Sequence, residues 1–385
     1  MSSLPVTGSA GSSTSTLTLS SPDAFLASVP HMLGFACDDS VVLVGLGPDA
    51  GGPSPLVRLT QRFDTPPLSM TLPEVADLAR SAAEPMSRSG STEVIVAVFG
   101  STRPASGAEL PSAPLVDQLI ESLDDAGLGV RDALYTDGIS RWSYGCQDPS
   151  CCPPQGRVIP DEVRTHVAAE FAVTGAAMAP SREALVAELA PADPQTLAQV
   201  SDLVAARSAL VPGARSGRRF EAWRDAAITD VDRITTGQPS SPDEVAGALV
   251  GLRDVRVRDT ALWDLGRAPG PKPAAADGLA ALVRSAPAGD VAPAATALAI
   301  VHWLGGDGAR ANVALDRALA DNPEYSLGLM VRTALSSGLP PQSWSNAMSG
   351  LSRDTCRYGA DRPAPALAPS APPAPRITSS PGLAG

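Results

Sequence analysis

At Pro160 the hydrophobic pattern of this sequence changes period. Before it, short β-branched runs alternate with segments of helical spacing. After it, strand signals vanish and alanine-rich helical segments follow one another, divided by Pro and Gly. Runs such as Val41-Val42-Leu43-Val44 and Val94-Ile95-Val96-Ala97-Val98 are what strands covered on both faces require. The pattern predicts an α/β domain over residues 17–160, a mixed sheet flanked by helices. It then predicts an all-α region of helical hairpins over residues 161–350.

Finer signals fill in both halves. Ser21-Pro22-Asp23 reads as a capped helix start with Pro in the first turn, and Gly34 as the stop. Leu56–Phe63 alternates like a half-exposed strand, Pro73–Ser87 and Leu115–Ala126 read as helices, and Val130–Thr136 is predicted as the last strand. In the second half, Ser241-x-x-Glu244 with Pro242 is a capping box. Two helical patterns over 292–335 meet at Gly305-Gly306-Asp307-Gly308 and look like a single tetratricopeptide unit or an ordinary helical hairpin. Gly266–Gly278 is expected to be irregular. Residues 1–16, rich in Ser, Thr and Gly, and 362–385, rich in Pro, Ala and Ser, are expected to be disordered tails.

Charge narrows the function classes. Against 41 acidic residues stand 29 basic ones, for a net charge of -12, and such a chain repels a phosphate backbone; nucleic acid is excluded as a partner. No Lys or Arg precedes Arg58, so a secretory signal is not expected. The longest apolar stretch, Val291–Gly306, is shorter than a membrane span. Five cysteines are too few for a disulfide framework, and the expectation is a soluble, cytoplasmic protein without membrane contact.

The densest group of chemically versatile residues lies between Asp137 and Gly156. It holds Arg141, Trp142, Ser143, Tyr144, Cys146, Cys151 and Cys152, directly after a predicted strand, where open α/β sheets bind ligands. In this Arg141–Cys152 loop Arg141 would hold an anionic group while Trp142 and Tyr144 stack; the alternative is a loop pinned by packing to its own domain. For the cysteines three readings compete. A metal site needs about four ligands, and a fourth would have to come from His166, Cys37 or Cys356. A Cys151–Cys152 disulfide would be strained, because adjacent Cα atoms lie closer than a disulfide prefers. The plainest reading is that the three thiols are small buried hydrophobes.

Asp39 and Ser40, in Cys37-Asp38-Asp39-Ser40, form a second candidate ligand site, or a simple turn. They precede their strand and are expected at the sheet edge opposite the Arg141 loop. His31, His166 and His302 are scattered, and no GxSxG, GxGxxG or GxxxxGK[ST] motif occurs, so no catalytic residue and no cofactor is implied. Arg215–Arg219 reads as a solvated helix start.

These segments resemble an actinobacterial family catalogued as domain of unknown function 4192. The likeness rests on Ser21–Pro30 with Leu33-Gly34-Phe35, Asp39-Ser40-Val-Val-Leu-Val-Gly45, Arg141-Trp142-Ser143-Tyr144 with Cys146, Cys151-Cys152-Pro-Pro and Gly156, and Pro180–Leu185. It covers about residues 17–350. The resemblance implies no particular activity. It does bring out a departure: related chains commonly read Gly-Phe-His-Pro where Ala36 and Cys37 follow Phe35 here.

Three functions stay open at this level. The first is a small-ligand-binding or catalytic α/β domain with its site at the Arg141–Cys152 loop. The second is a non-enzymatic interaction module using the helical half, and the third a thiol-based metal or redox sensor.

Overall fold

The computed structural model describes residues 4–8, 15–19, 21–49, 55–146, 148–173, 178–268 and 270–359. The expected tail at 362–385 lies outside the described residues. Where a loose tail was expected at the N-terminus, β1 (Leu4–Gly8) pairs antiparallel with β2 (Ser15–Leu19). The Thr/Leu alternation of Ser15–Leu19 is a strand pattern that the polar composition of the segment conceals.

Helix α1 (Pro22–Leu33) begins as its sequence dictates. Ser21 Oγ accepts from the Ala24 amide at 3.1 Å, Pro22 fills the first turn, and Gly34 closes the helix at φ +80°. Strand β3 (Ser40–Gly47) is buried along its whole length, and β4 (Leu56–Asp64) pairs beside it. Then come α2 (Leu72–Arg88), β5 (Glu93–Phe99), α3 (Ala113–Asp125) and β6 (Gly129–Thr136). Two more strands follow, β7 (Ser140–Ser143) and β8 (Arg157–Val158), so Val130–Thr136 is not the last strand. Arg141, Trp142 and Ser143 of the candidate loop therefore lie within a strand, and only Tyr144 follows its end.

The sheet runs β4-β3-β5-β6-β7-β8, with β5 and β6 parallel and every other pair antiparallel. Helices cover both faces. Val41, Leu43, Val94, Val96, Val98, Tyr135 and Trp142 pack under α2 and α3. Val42, Val44, Ile95, Ala97, Phe99 and Leu134 pack under α1 and α4 (Asp161–Val173). This is the mixed, helix-flanked sheet that the uninterrupted apolar strands require.

The second half is helical. It comprises α5 (Arg182–Glu188), α6 (Pro194–Ala209), α7 (Arg218–Thr235), α8 (Pro242–Leu252), α9 (Val255–Gly266) and α10 (Pro273–Ser285). After these come α11 (Val291–Leu304), α12 (Gly308–Asp321), α13 (Ser326–Ser336), α14 (Gln342–Met348) and α15 (Arg353–Tyr358). The Ser241/Glu244 capping box forms at α8. Helix α11 is buried at every position but His302, which explains why its sequence is apolar all round. Ala311, Leu315 and Ala318 of α12 are buried as the small-residue spacing of a helical hairpin predicts. Gly266–Gly278 is only partly irregular, because Pro273 starts α10 and the alanines after it extend the helix. Among the described residues no helix is long and apolar enough to cross a membrane.

The halves share a seam. Phe35 bridges to Ala179, with backbone hydrogen bonds Ala36 N to Ala179 O (3.2 Å) and Ala179 N to Gly34 O (2.8 Å). The Phe35 ring is buried in the core of the helical half.

Candidate functional site

A tight hairpin joins β6 to β7. Asp137 Oδ1 accepts from the amides of Ile139 (2.9 Å) and Ser140 (2.6 Å), Gly138 takes φ +84°, and Thr136 Oγ1 donates to the Ser140 carbonyl at 2.9 Å. The strand that follows sends alternate side chains to opposite faces. Arg141 turns toward α1, where its Nε donates to the Asp23 carboxylate; only 8% of Arg141 is exposed. Trp142 turns the other way, 5% exposed, and its Nε1 donates to the Pro154 carbonyl at 3.2 Å. The indole lies 5.7 Å from the Tyr135 ring and 5.9 Å from the Arg103 guanidinium. Tyr144 donates its hydroxyl to the Pro111 carbonyl, and burial pushes its phenol well above the ordinary range.

Arg141, Trp142 and Tyr144 thus pin β7 and its loop to the surrounding domain. Their partners are Asp23, Arg103, and Gly156, whose φ is +81° and whose Cα faces the indole so closely that a Cβ would lie 2.4 Å from Trp142 Cε2.

The register also places the second candidate. Ser40 pairs with Phe99, Phe99 with Thr136, and Thr136 with Arg141, so these four residues form one row across the sheet. Asp39 and Ser40 therefore share an edge with Arg141, contrary to the expectation that they would lie opposite, because β3 is antiparallel to β5. Asp39 sits at φ +40°, accepts from Ser101 Oγ at 3.3 Å, and its carbonyl accepts from the Thr65 amide at 2.9 Å. Ser40 is fully buried. Strand β7 then carries the chain away from this edge. Cys146 follows its far end, and Asp39 and Ser40 are not part of the cysteine group.

Past β7 the chain doubles back on itself. The Cys146 amide donates to Ser143 Oγ at 3.1 Å. The Asp148 carbonyl accepts from the amides of both Cys151 (3.2 Å) and Cys152 (2.8 Å), while its carboxylate accepts from the Ser150 amide at 2.9 Å. This turn returns Cys151 to Cys146, with their Sγ atoms 3.2 Å apart, and the sulfurs of Cys146, Cys151 and Cys152 all lie within 4.8 Å of one another. All three are free thiols, so no Cys151–Cys152 bond exists. Cys151 is exposed and the other two are half-buried, which overturns their reading as buried small hydrophobes; Cys356, in α15, fits that reading.

Donation from the Cys151 thiol holds the Cys146 thiol below its ordinary range, and the same contact pushes Cys151 up. Burial, first, pushes Cys152 up to about 12. Of the three thiols, Cys146 is therefore the one that gives up its proton most readily. None of the expected fourth ligands joins it among the described residues. His166 is 3.3 Å from Glu170 on its own helix, Cys37 lies 3.9 Å from the Phe35 carbonyl, and Cys356 is buried in α15.

The family profile of a domain of unknown function, DUF4192, matches residues 22–342. The chain belongs to this family. The DUF4192 match runs from the first turn of α1 to the start of α14 and so takes in both halves and the thiol group. No curated protein and no solved structure matches the chain.

Proposed function

We propose that this DUF4192 protein is a thiol-based redox sensor whose working pair is Cys146 and Cys151. The observation that carries the reading is their 3.2 Å sulfur separation at an exposed turn. A disulfide bond of about 2.05 Å needs the two atoms to approach by roughly 1 Å, within reach of side-chain rotation in a surface loop. In the reducing cytoplasm to which the sparse cysteine usage points, the pair rests as a dithiol.

Oxidation proceeds by exchange with a low-molecular-weight disulfide RS–SR. The Cys146 thiolate attacks one sulfur, forming Cys146–S–SR and releasing RS⁻. The Cys151 thiolate then attacks the Cys146 sulfur, closes the protein disulfide and releases the second RS⁻. Both cysteines are oxidised, RS–SR is reduced, and the two thiol protons leave on two RSH. The engagement of Arg141, Trp142 and Tyr144 in contacts within the domain favours this reading over a ligand site built from those side chains. Burial of α11 on all sides likewise gives the helical hairpin a role in the core rather than in an open groove.

The test is equilibration of the full chain in glutathione buffers of graded ratio, followed by peptide mapping. The expected product is a Cys146–Cys151 link that Cys152→Ser still forms and that Cys146→Ser and Cys151→Ser abolish. Thiols that stay free in every buffer, or a link that maps to another pair, would overturn the reading.

A further inference from the structure

A redox pair needs two sulfurs, and this turn gathers three. We propose that the reduced trio of Cys146, Cys151 and Cys152 is a tris-thiolate site for a soft divalent metal ion of the zinc class, with the fourth position left to an exogenous ligand such as water or a small thiol. The inference rests on the preceding reading only in requiring the three cysteines to be reduced.

The sulfur geometry supports it. Tetrahedral zinc with Zn–S bonds of about 2.3 Å sets its sulfurs roughly 3.8 Å apart. The Cys146 and Cys151 sulfurs are 3.2 Å apart and all three lie within 4.8 Å of one another, a spacing compatible with that edge. Small side-chain rotations suffice to seat an ion.

The backbone has already done the positioning. One carbonyl, that of Asp148, accepts from the amides of both Cys151 and Cys152, which fixes two neighbouring ligands at once. Ser143 fixes the Cys146 amide. On the other side of the trio, Trp142 holds the Pro154 carbonyl and Arg103 donates to the Gln155 carbonyl at 3.2 Å. A loop held at both ends loses little conformational freedom when an ion binds.

The donor set selects the class of ion. Thiolates favour zinc and other soft ions over magnesium or calcium, which prefer oxygen. The Asp148 carboxylate is engaged with the Ser150 amide, and no other His, Cys, Asp or Glu among the described residues joins the group. Three protein ligands with an open position is the pattern of an exchangeable or reactive zinc site rather than a closed structural one. Binding displaces thiol protons and occupies the sulfurs that would otherwise form the disulfide.

The test uses reduced, chelator-treated full chain titrated anaerobically with Co²⁺ and then Zn²⁺. Expected are one equivalent of tetrahedral cobalt with sulfur-to-cobalt charge-transfer absorption, its displacement by zinc, and protection of the trio from oxidation by one equivalent of zinc. Each of Cys146→Ser, Cys151→Ser and Cys152→Ser should weaken binding at least about tenfold, whereas Cys37→Ser and His166→Ala should not change it. Circular dichroism of each variant confirms that the fold is intact. The absence of a tetrahedral thiolate spectrum, or its full retention in Cys152→Ser, would overturn the proposal. Cys152→Ser also separates the two readings, because it should lose metal and keep the Cys146–Cys151 disulfide. Metal binding without that disulfide defeats the sensor alone; the disulfide without metal binding defeats only the metal site.

Discussion

Arg141 of β7 and Asp23 of α1 are 118 residues apart in the chain and form a nearly buried ion pair, their side chains 9% and 16% exposed. The pair ties the sheet to the first helix, and Asp23 also lies where the positive end of the α1 dipole favours a carboxylate. Removing one partner strands the other charge in a poorly solvated site, which typically costs about 3–5 kcal/mol. Arg141→Ala and Asp23→Ala are each expected to destabilise the protein by that order in urea unfolding. The double variant Asp23→Leu/Arg141→Met should recover most of the loss. Single variants as stable as the parent would mean that the pair holds nothing together.

At Gly156 two constraints coincide, a left-handed backbone and the Trp142 indole where a Cβ would stand. Gly156→Ala is expected to cost about 1–3 kcal/mol through strain and displacement of the ring. Because Trp142 anchors the Pro154 carbonyl, the same variant should disturb the thiol turn and slow formation of the Cys146–Cys151 link. Denaturant melts and the rate of disulfide formation check both halves of this expectation.

Gly278 lies inside α10, where replacing glycine with alanine ordinarily gains up to about 1 kcal/mol. Here an added Cβ would come within 2.1 Å of the Ile234 carbonyl oxygen, a backbone atom of α7 that cannot swing aside. The collision wins. Gly278→Ala should destabilise by about 1–3 kcal/mol, and a raised melting temperature would refute the close approach of α7 and α10.

The Asp230 carboxyl on α7 is pushed up from 3.8 to about 6, by burial first, which Arg207 and Arg233 partly offset and Glu244 and Asp243 reinforce. Between these two values the folded chain binds more protons than the unfolded one. Its contribution to stability is therefore complete below pH 3.8 and is lost as pH rises through about 6. The side chain is 14% exposed, and the loss is at most ~3 kcal/mol. Asp230→Asn should remove this fall, so that the parent-minus-variant stability declines from pH 4 to pH 7. Parallel stability curves for the two proteins would contradict the assignment.

Much of the fold was legible because it is written in local periodicity. The buried runs at Val41–Val44 and Val94–Val98 fixed strands covered on both faces, and Ser21, Gly34, Ser241 and Glu244 marked helix ends through contacts within a few residues. What escaped was short or composition-masked: Ser140–Ser143 and Arg157–Val158 are strands only because they pair with β6 and with each other. The start of α10 was hidden inside a Pro- and Gly-rich stretch.

The candidate residues divide the same way. Sequence alone determined that Arg141, Trp142, Tyr144 and three cysteines are crowded into one segment, and that the apolar faces on either side need helices to cover them. Only the tertiary structure decided what each residue does there. Strand alternation sent Arg141 to Asp23 and Trp142 to Pro154, the antiparallel register carried Asp39 to the Arg141 edge, and the Asp148 turn brought three sulfurs together at the surface. The reason is physical. Periodicity states which face of an element must be buried, whereas the partner that buries it, or satisfies its charge, is set by register and by packing between segments far apart in the chain.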